Sequence, residues 1–308
     1  MVMHFLSVWD FSRDEIYKIV TLTENIKDGS MDVEDILEGK IMGMIFEKPS
    51  TRTRVSFEVA MKQLGGDAIY LPTTSLQVSR GESLKDTAKV LSRYLDILMA
   101  RVYKHETLVE LAKHSEIPVI NGLSDLEHPV QIISDFYTIY EYFGKLHGLK
   151  ISYVGDSDNN VARSLVIGCA LLGLELSIAS PKKYTVSNDF LKEVFERVSG
   201  SEKLVKIYED PYEAVEGADV IYTDTFVSMG MEAEAEERLK TFLPKYQVTM
   251  DLMKSTGRET IFMHCLPAHR GHEVTDDVID SEYSIVYDQA ENRLHTQKTI
   301  ILYLMGYI

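Results

Sequence analysis

Cysteine is nearly missing from this chain. Only Cys169 and Cys265 occur among 308 residues. That excludes a disulfide framework, leaves little for a zinc site, and makes a reducing cytoplasm the expected setting. Long apolar runs are missing as well. None approaches the roughly 18 residues that a bilayer crossing needs, so no membrane partner is expected. The first residues, Met1 to Leu6, lack the basic stretch of a secretory signal and the arginines of a transit peptide. Basic residues are in short supply: 32 Lys and Arg stand against 48 Asp and Glu, a formal net charge of −16. General nucleic-acid binding needs basic patches and is disfavoured. A local group of arginines can still hold a small anion against that field. The glycine patterns G-x-G-x-x-G and G-x-x-x-x-G-K-[ST] do not occur. Their absence argues against a dinucleotide cofactor, a nicotinamide-dependent dehydrogenase and an NTP-hydrolysing P-loop. Neither a cofactor nor a metal is expected.

What the chain does have is regular alternation of strand-like and helical runs. Apolar stretches at 41–46, 68–71, 97–102 and 118–120 read as buried strands. Helical segments lie between them, such as 83–94, whose stripe is Leu84, Ala88 and Leu91 and runs on to Leu95. The pattern restarts after Lys150 with strand-like runs at 151–154, 174–179, 205–208, 219–222, 261–264 and 285–287. Helices such as 161–172 and 189–198 separate them. Near-continuous apolar strands alternating with helices predict an α/β fold of two parallel-sheet domains with helices on both faces. The expected division is 1–145 and 146–290, with a final helix at 291–308 rejoining the first domain. Open parallel sheets bind ligands at the carboxyl ends of their strands. The active site is therefore expected in a cleft between the domains.

The most informative segment is Phe46-Glu47-Lys48-Pro49-Ser50-Thr51-Arg52-Thr53-Arg54. A strand ends there and an amphipathic helix begins, with Phe57, Ala60, Met61 and Leu64 on one face. Ser50 is a good N-cap. Hydroxyls, free backbone N–H groups, the positive helix end and guanidinium forks together suit a phosphate dianion. The bland alternative is an ordinary capped helix with solvated arginines.

Other polar groups follow predicted strands. Arg101 closes the run 97–100, where a buried arginine needs an anion or an acceptor; the alternative is a side chain that reaches solvent. His128-Pro129-Val130-Gln131 opens a helix, with Pro129 suited to its first position. His128 and Gln131 then share a face and offer a donor to a carbonyl and a partner for an amide. Gly155-Asp156-Ser157-Asp158-Asn159-Asn160 and Asp224-Thr225-Phe226-Val227-Ser228-Met229-Gly230 follow later strands. A carboxylate such as Asp224 can hold an ammonium group there. The acidic run Glu232 to Glu237 reads as a solvated helix start. His264-Cys265-Leu266-Pro267 ends another strand, and a cysteine so placed is usually only a small apolar residue.

In order and spacing these motifs resemble those of the carbamoyltransferases. S-T-R-T-R at Ser50 to Arg54 and H-P-x-Q at His128 to Gln131 mark the superfamily. D-x-x-x-S-M-G at Asp224 to Gly230 and H-C-L-P at His264 to Pro267 mark its ornithine branch. The likeness runs from Leu6 to the final helix. It implies that Ser50, Thr51, Arg52 and Thr53 hold the phosphate of carbamoyl phosphate, and that Arg101, His128 and Gln131 take its carbonyl and amide end. Gln77 is implied to enter the site of a neighbouring subunit in a homotrimer, or in an assembly of trimers. Asn160, Asp224, Ser228 and Met229 would bind L-ornithine. Cys265 and Leu266 would contact the reacting carbamoyl group, and Arg293 would complete its pocket. Lys48, Arg54, Arg80 and Glu82 would support these groups from behind or at an interface. Arg52, Arg101, His128 and Cys265 are the implied catalytic groups. Two positions depart from the family pattern: Phe226 stands where Trp is usual, and Arg163 where a smaller polar residue is common. The implied reaction is attack of a neutral amine on carbamoyl phosphate. A carbamoyltransferase for another amine such as putrescine, and a non-catalytic binding protein, are the competing expectations.

Overall fold

A computed structural model describes residues 2–228 and 230–308. The chain divides into two compact units, Met1–Tyr142 with Glu291–Ile308, and Phe143–Ala290. Each is built on an all-parallel sheet.

In the first unit the strands are β1 (Ile41–Phe46), β2 (Asp67–Pro72), β3 (Ile97–Arg101) and β4 (Val119–Leu123), in the order β2-β1-β3-β4. Every residue of β3 is buried. Alternate side chains of a strand point to opposite faces, so burial without alternation means both faces of the sheet are covered. The helices here are α1 (Arg13–Lys27), α2 (Thr51–Gln63), α3 (Leu84–Leu91), α4 (His105–His114) and α5 (Pro129–Phe143). The predicted face of α2 is the buried one: Phe57, Ala60, Met61 and Leu64 have no exposed surface.

The second unit contains β5 (Lys150–Val154), β6 (Glu175–Ala179), β7 (Val205–Tyr208), β8 (Val220–Thr223) and β9 (Ile261–His264), in the order β7-β6-β5-β8-β9. Its helices are α6 (Asn160–Leu172), α7 (Asn188–Arg197), α8 (Pro211–Val215), α9 (Ala235–Phe242), α10 (Met250–Lys254) and α11 (Asp276–Ile279). The last helix, α12 (Val286–Leu304), begins in the second unit and runs into the first. There it lies along α1, with Thr23 bonded to Thr299 at 2.9 Å, Lys27 to Asn292 at 2.7 Å, and Tyr303 to Glu15 at 2.7 Å.

One expected strand is corrected. The run 285–287 does not form one. Only Ser284 bridges Phe262, and α12 starts at Val286. Three apolar or aromatic residues look alike at a strand and at a helix entrance. No helix among the described residues is long and apolar enough to cross a membrane.

The strand orders mark where each unit would take a ligand. In each sheet the order reverses once, between β1 and β3 in the first and between β5 and β8 in the second. Loops leaving adjacent strand ends there diverge and open a crevice. Ser50 to Thr53 and Arg101 leave the first reversal; Gly155 to Asn160 and Asp224 leave the second.

Candidate functional site

In the first unit, Phe46 pairs in register with Arg101, so the end of β1 and the end of β3 stand side by side. Ser50 caps α2, its hydroxyl accepting the Thr53 N–H at 3.2 Å. Thr53 is fully buried, and its hydroxyl oxygen accepts from two guanidinium groups: Arg293 Nη2 at 3.2 Å and Arg101 Nη1 at 3.5 Å. A buried threonine thus gathers an arginine from β3 and another from α12 at a helix entrance. Arg52, on the first turn of α2, is half-buried and Thr51 is exposed.

His128 is buried at the start of α5. Burial above all, then the positive charges of Arg293, Arg101, Lys48 and Arg52, hold its pKa well below 6.5. The ring is neutral at physiological pH and can donate one N–H without carrying charge. Lys48 feels the same field: burial, then Arg101, pull its pKa down to about 8, against Asp125 and Glu47. Gln131, one turn on, donates its amide nitrogen to Asp135 at 2.8 Å. Its carbonyl oxygen is the end that can accept from a ligand amide. The loop before His128 is tied down by the N-terminal segment. Glu127 accepts from the Ser7 hydroxyl at 2.5 Å and from the Val8 N–H at 2.9 Å, and Asn121 donates to the Leu6 carbonyl at 2.8 Å. In a chain of net charge −16, this corner concentrates four cations and several N–H and O–H donors. Such an arrangement suits a small dianion.

The remaining expected residues of this unit lie elsewhere. Gln77 is exposed in a short 3-10 turn, Gln77–Arg80. Arg54 stacks 4.0 Å over the Tyr70 ring and sits 3.8 Å from Glu58. Glu82 accepts from the Thr87 hydroxyl at 2.8 Å.

In the second unit, Thr223 pairs in register with His264, so the next residues, Asp224 and Cys265, leave neighbouring strand ends together. The Cys265 thiol donates to Asp224 Oδ1 at 3.3 Å, which also accepts the Thr225 N–H at 2.8 Å. Burial raises the Asp224 carboxyl above 3.8, against the pull of His264 and these two bonds. Leu266, at φ 59°, turns its N–H back onto His264 Nδ1 at 2.8 Å. Because Nδ1 accepts, Nε2 carries the proton and donates to the buried Glu273 at 3.2 Å. Burial works to raise the Glu273 carboxyl, but its bonds to His264 and the His269 N–H outweigh it and hold it below 4.5. Ligand atoms of Asp224, His264 and Cys265 all lie within 4.8 Å of one another, a spacing a metal could use. Both His264 nitrogens are committed, so the trio is better described as a hydrogen-bonded network than as a metal site.

Asn160 opens α6, capped by Asn159, whose Oδ1 accepts the Ala162 N–H at 2.8 Å. Ser228 is half-buried, and Met229 lies outside the described residues. The two unusual positions have clear roles. Phe226 is wholly buried and stacks on Phe242 at 4.5 Å, so it is a core residue. Arg163 sits 4.2 Å over the Phe190 ring of α7. Sequence reasoning missed Asp135, although its i+4 spacing from Gln131 on a helix was legible. It also missed Arg238, whose buried carboxylate partner, Asp156, is 82 positions away.

A family model described as the aspartate/ornithine carbamoyltransferase carbamoyl-P binding domain matches residues 3–141, and one described as the Asp/Orn binding domain matches 147–304. The chain is 50% identical over 305 residues to an ornithine carbamoyltransferase of Archaeoglobus fulgidus, covering 98% of this chain and 97% of that one. It is 51% identical over 303 residues to an anabolic ornithine carbamoyltransferase of Pyrococcus furiosus, covering 98% and 96%. A solved structure of the ornithine carbamoyltransferase from Pyrococcus furiosus superposes with a TM-score of 0.93 at 50% identity, covering 99% and 97%.

Proposed function

The chain belongs to the aspartate/ornithine carbamoyltransferase family, and from that premise we propose that its first unit holds carbamoyl phosphate and its second holds L-ornithine. The enzyme transfers the carbamoyl group of carbamoyl phosphate to the δ-amine of L-ornithine, giving L-citrulline and phosphate. The observation that carries the division of labour is the pair of arginines on Thr53 at a capped helix entrance, beside a neutral histidine.

In this reading Ser50, Thr51, Arg52 and Thr53 grip the phosphate through hydroxyls, backbone N–H groups and guanidinium. Arg101 and Arg293 add charge. His128 donates its N–H to the carbonyl oxygen, where negative charge develops, and Gln131 accepts from the carbamoyl NH2. Such preorganised donors are usually the largest catalytic contribution. Cys265 and Leu266 are assigned to the reacting carbamoyl group. Asp224, Asn160, Ser228 and Met229 are assigned to ornithine, with the Asp224 carboxylate accepting from an ammonium group.

The neutral δ-amine attacks the carbonyl carbon. A C–N bond forms, the C–O bond to phosphate breaks, and the departing phosphate takes up the proton that the amine loses. An alkylammonium has a pKa near 10.4, so the reactive amine grows more abundant as pH rises. No covalent cysteine intermediate is required.

A cytoplasmic homotrimer working in the biosynthetic direction of arginine metabolism completes the proposal. Gln77 would reach a neighbour's site, and its exposure supports that role. The deciding experiment is a product assay with ornithine, putrescine, aspartate and acetylornithine. Citrulline from ornithine alone is the expected result. Carbamoylputrescine as the main product would move the specificity to another amine, and no product from any of them would remove the assignment.

A further inference from the structure

Arg238 on α9 is 3% exposed, and none of its partners among the described residues is assigned to a substrate. Its Nε donates to the Phe226 carbonyl at 2.5 Å and its Nη2 donates to the Asp156 carboxylate. Nη1 stands 3.6 Å from Glu234, and the guanidinium carbon lies 4.5 Å from the centre of the Tyr184 ring and 5.8 Å from that of Phe242. Asp156 is equally hidden and organises its own turn. Its carbonyl accepts from the Tyr153 hydroxyl at 2.8 Å and from Asn159 Nδ2 at 2.9 Å, and its Oδ1 accepts the Asp158 N–H at 3.0 Å. That turn ends at Asn160. Phe226 stands midway between Asp224 and Ser228. One guanidinium therefore holds both segments to which ornithine is assigned.

We propose that Arg238 is a positioning residue for the amine substrate, fastening the segment after β8 to the turn after β5. This rests on the assignment of ornithine to Asp224 and Asn160. An arginine suits the task because its planar fork donates in two fixed directions at once, whereas lysine is a single flexible point charge. A buried guanidinium also costs desolvation and is retained only when its partners are good. The grip depends on Asp156 being a carboxylate. Burial pushes that group up to about 6 despite Arg238 beside it, and Asp158 and Asp224 push the same way. Above about pH 6 the pair is intact. As pH falls through that value Asp156 takes a proton, the grip weakens and ornithine affinity declines.

The test measures kcat and both KM values from pH 5 to 9, with melting temperature, for wild type, Asp156→Asn, Arg238→Lys and Asp224→Ala. Asp156→Asn keeps the volume and removes the charge. Its ornithine KM should rise about tenfold at pH 8, as for loss of one hydrogen bond to a charged group. Its carbamoyl phosphate KM should stay within about twofold of wild type. Its ornithine KM should also lose the acid limb near pH 6. Arg238→Lys should fall between the two, since one of two donors can be restored. Wild-type ornithine KM in both variants, or equal loss for both substrates, would overturn the inference. Should Asp224→Ala leave ornithine KM unchanged, the underlying site assignment fails instead; should Asp224→Ala weaken ornithine while Asp156→Asn does not, only the Arg238 role fails.

Discussion

His128 is surrounded by Arg293, Arg101, Lys48 and Arg52, and a neutral imidazole among cations is a donor that does not titrate in the working range. The group that does titrate there is Lys48, brought down to about 8. As pH rises through 8, Lys48 loses its charge and the pocket loses attraction for a dianion. The expected kcat/KM for carbamoyl phosphate is therefore flat between pH 6 and 7 and declines above about 8, since this parameter reports the free enzyme. Lys48→Arg should shift the decline upward by keeping the charge. A downturn on the acid side centred near 6.5 would show that His128 is not held neutral. Arg52 makes the simplest residue-level case: Arg52→Ala should cost about 100- to 1000-fold in kcat/KM for carbamoyl phosphate, the usual loss for one donor at a developing charge. Steady-state kinetics against both substrates checks it, and normal turnover would remove Arg52 from the phosphate site.

At the scale of elements, the turn after β5 is built tightly. Gly155 has φ 132°, a conformation that L side chains rarely adopt, and a Cβ there would lie 3.0 Å from a Phe226 ring carbon and 3.3 Å from the Thr223 hydroxyl. The Phe226 ring cannot yield easily, because it is stacked on Phe242. Gly155→Ala should lower stability by about 1–3 kcal/mol through strain and overpacking. A denaturant titration reads this as a lower midpoint at unchanged slope; an unchanged midpoint would show that the turn relaxes freely. The same scale explains what was legible beforehand. Strands β1 and β9 have the expected bounds because buried parallel strands are nearly uninterrupted apolar runs. Ser50 and Pro129 announce their helices by local chemistry, so the helix entrances of the proposed anion pocket could be found from local sequence alone. The 285–287 run misleads because three residues are too few to carry a period. Arg238 could not be found at all: its carboxylate partner is 82 positions away, and nothing in an acidic helix start marks one arginine as buried.

For the whole molecule, the proposed trimer makes a claim that single chains cannot satisfy. Gln77 is exposed on the surface of its own chain, whereas Arg52 lies at the entrance of α2. If each site takes Arg52 from one chain and Gln77 from the next, two individually disabled variants can repair one another. Consider Gln77→Ala mixed with Arg52→Ala in equal amounts, after dissociation and reassembly. In a cyclic trimer every mixed assembly, whichever variant is in the majority, contains one interface where an intact Arg52 meets an intact Gln77. Random assembly makes three quarters of trimers mixed, with one good site in three, so about one quarter of wild-type activity should return. Separate trimers of either variant should stay disabled, and a chain that uses its own Gln77 would give no recovery on mixing. Sedimentation of the mixture, run alongside the citrulline assay, ties the recovered rate to the assembled species. Activity that returns with no species larger than a single chain would exclude sharing between subunits as its source.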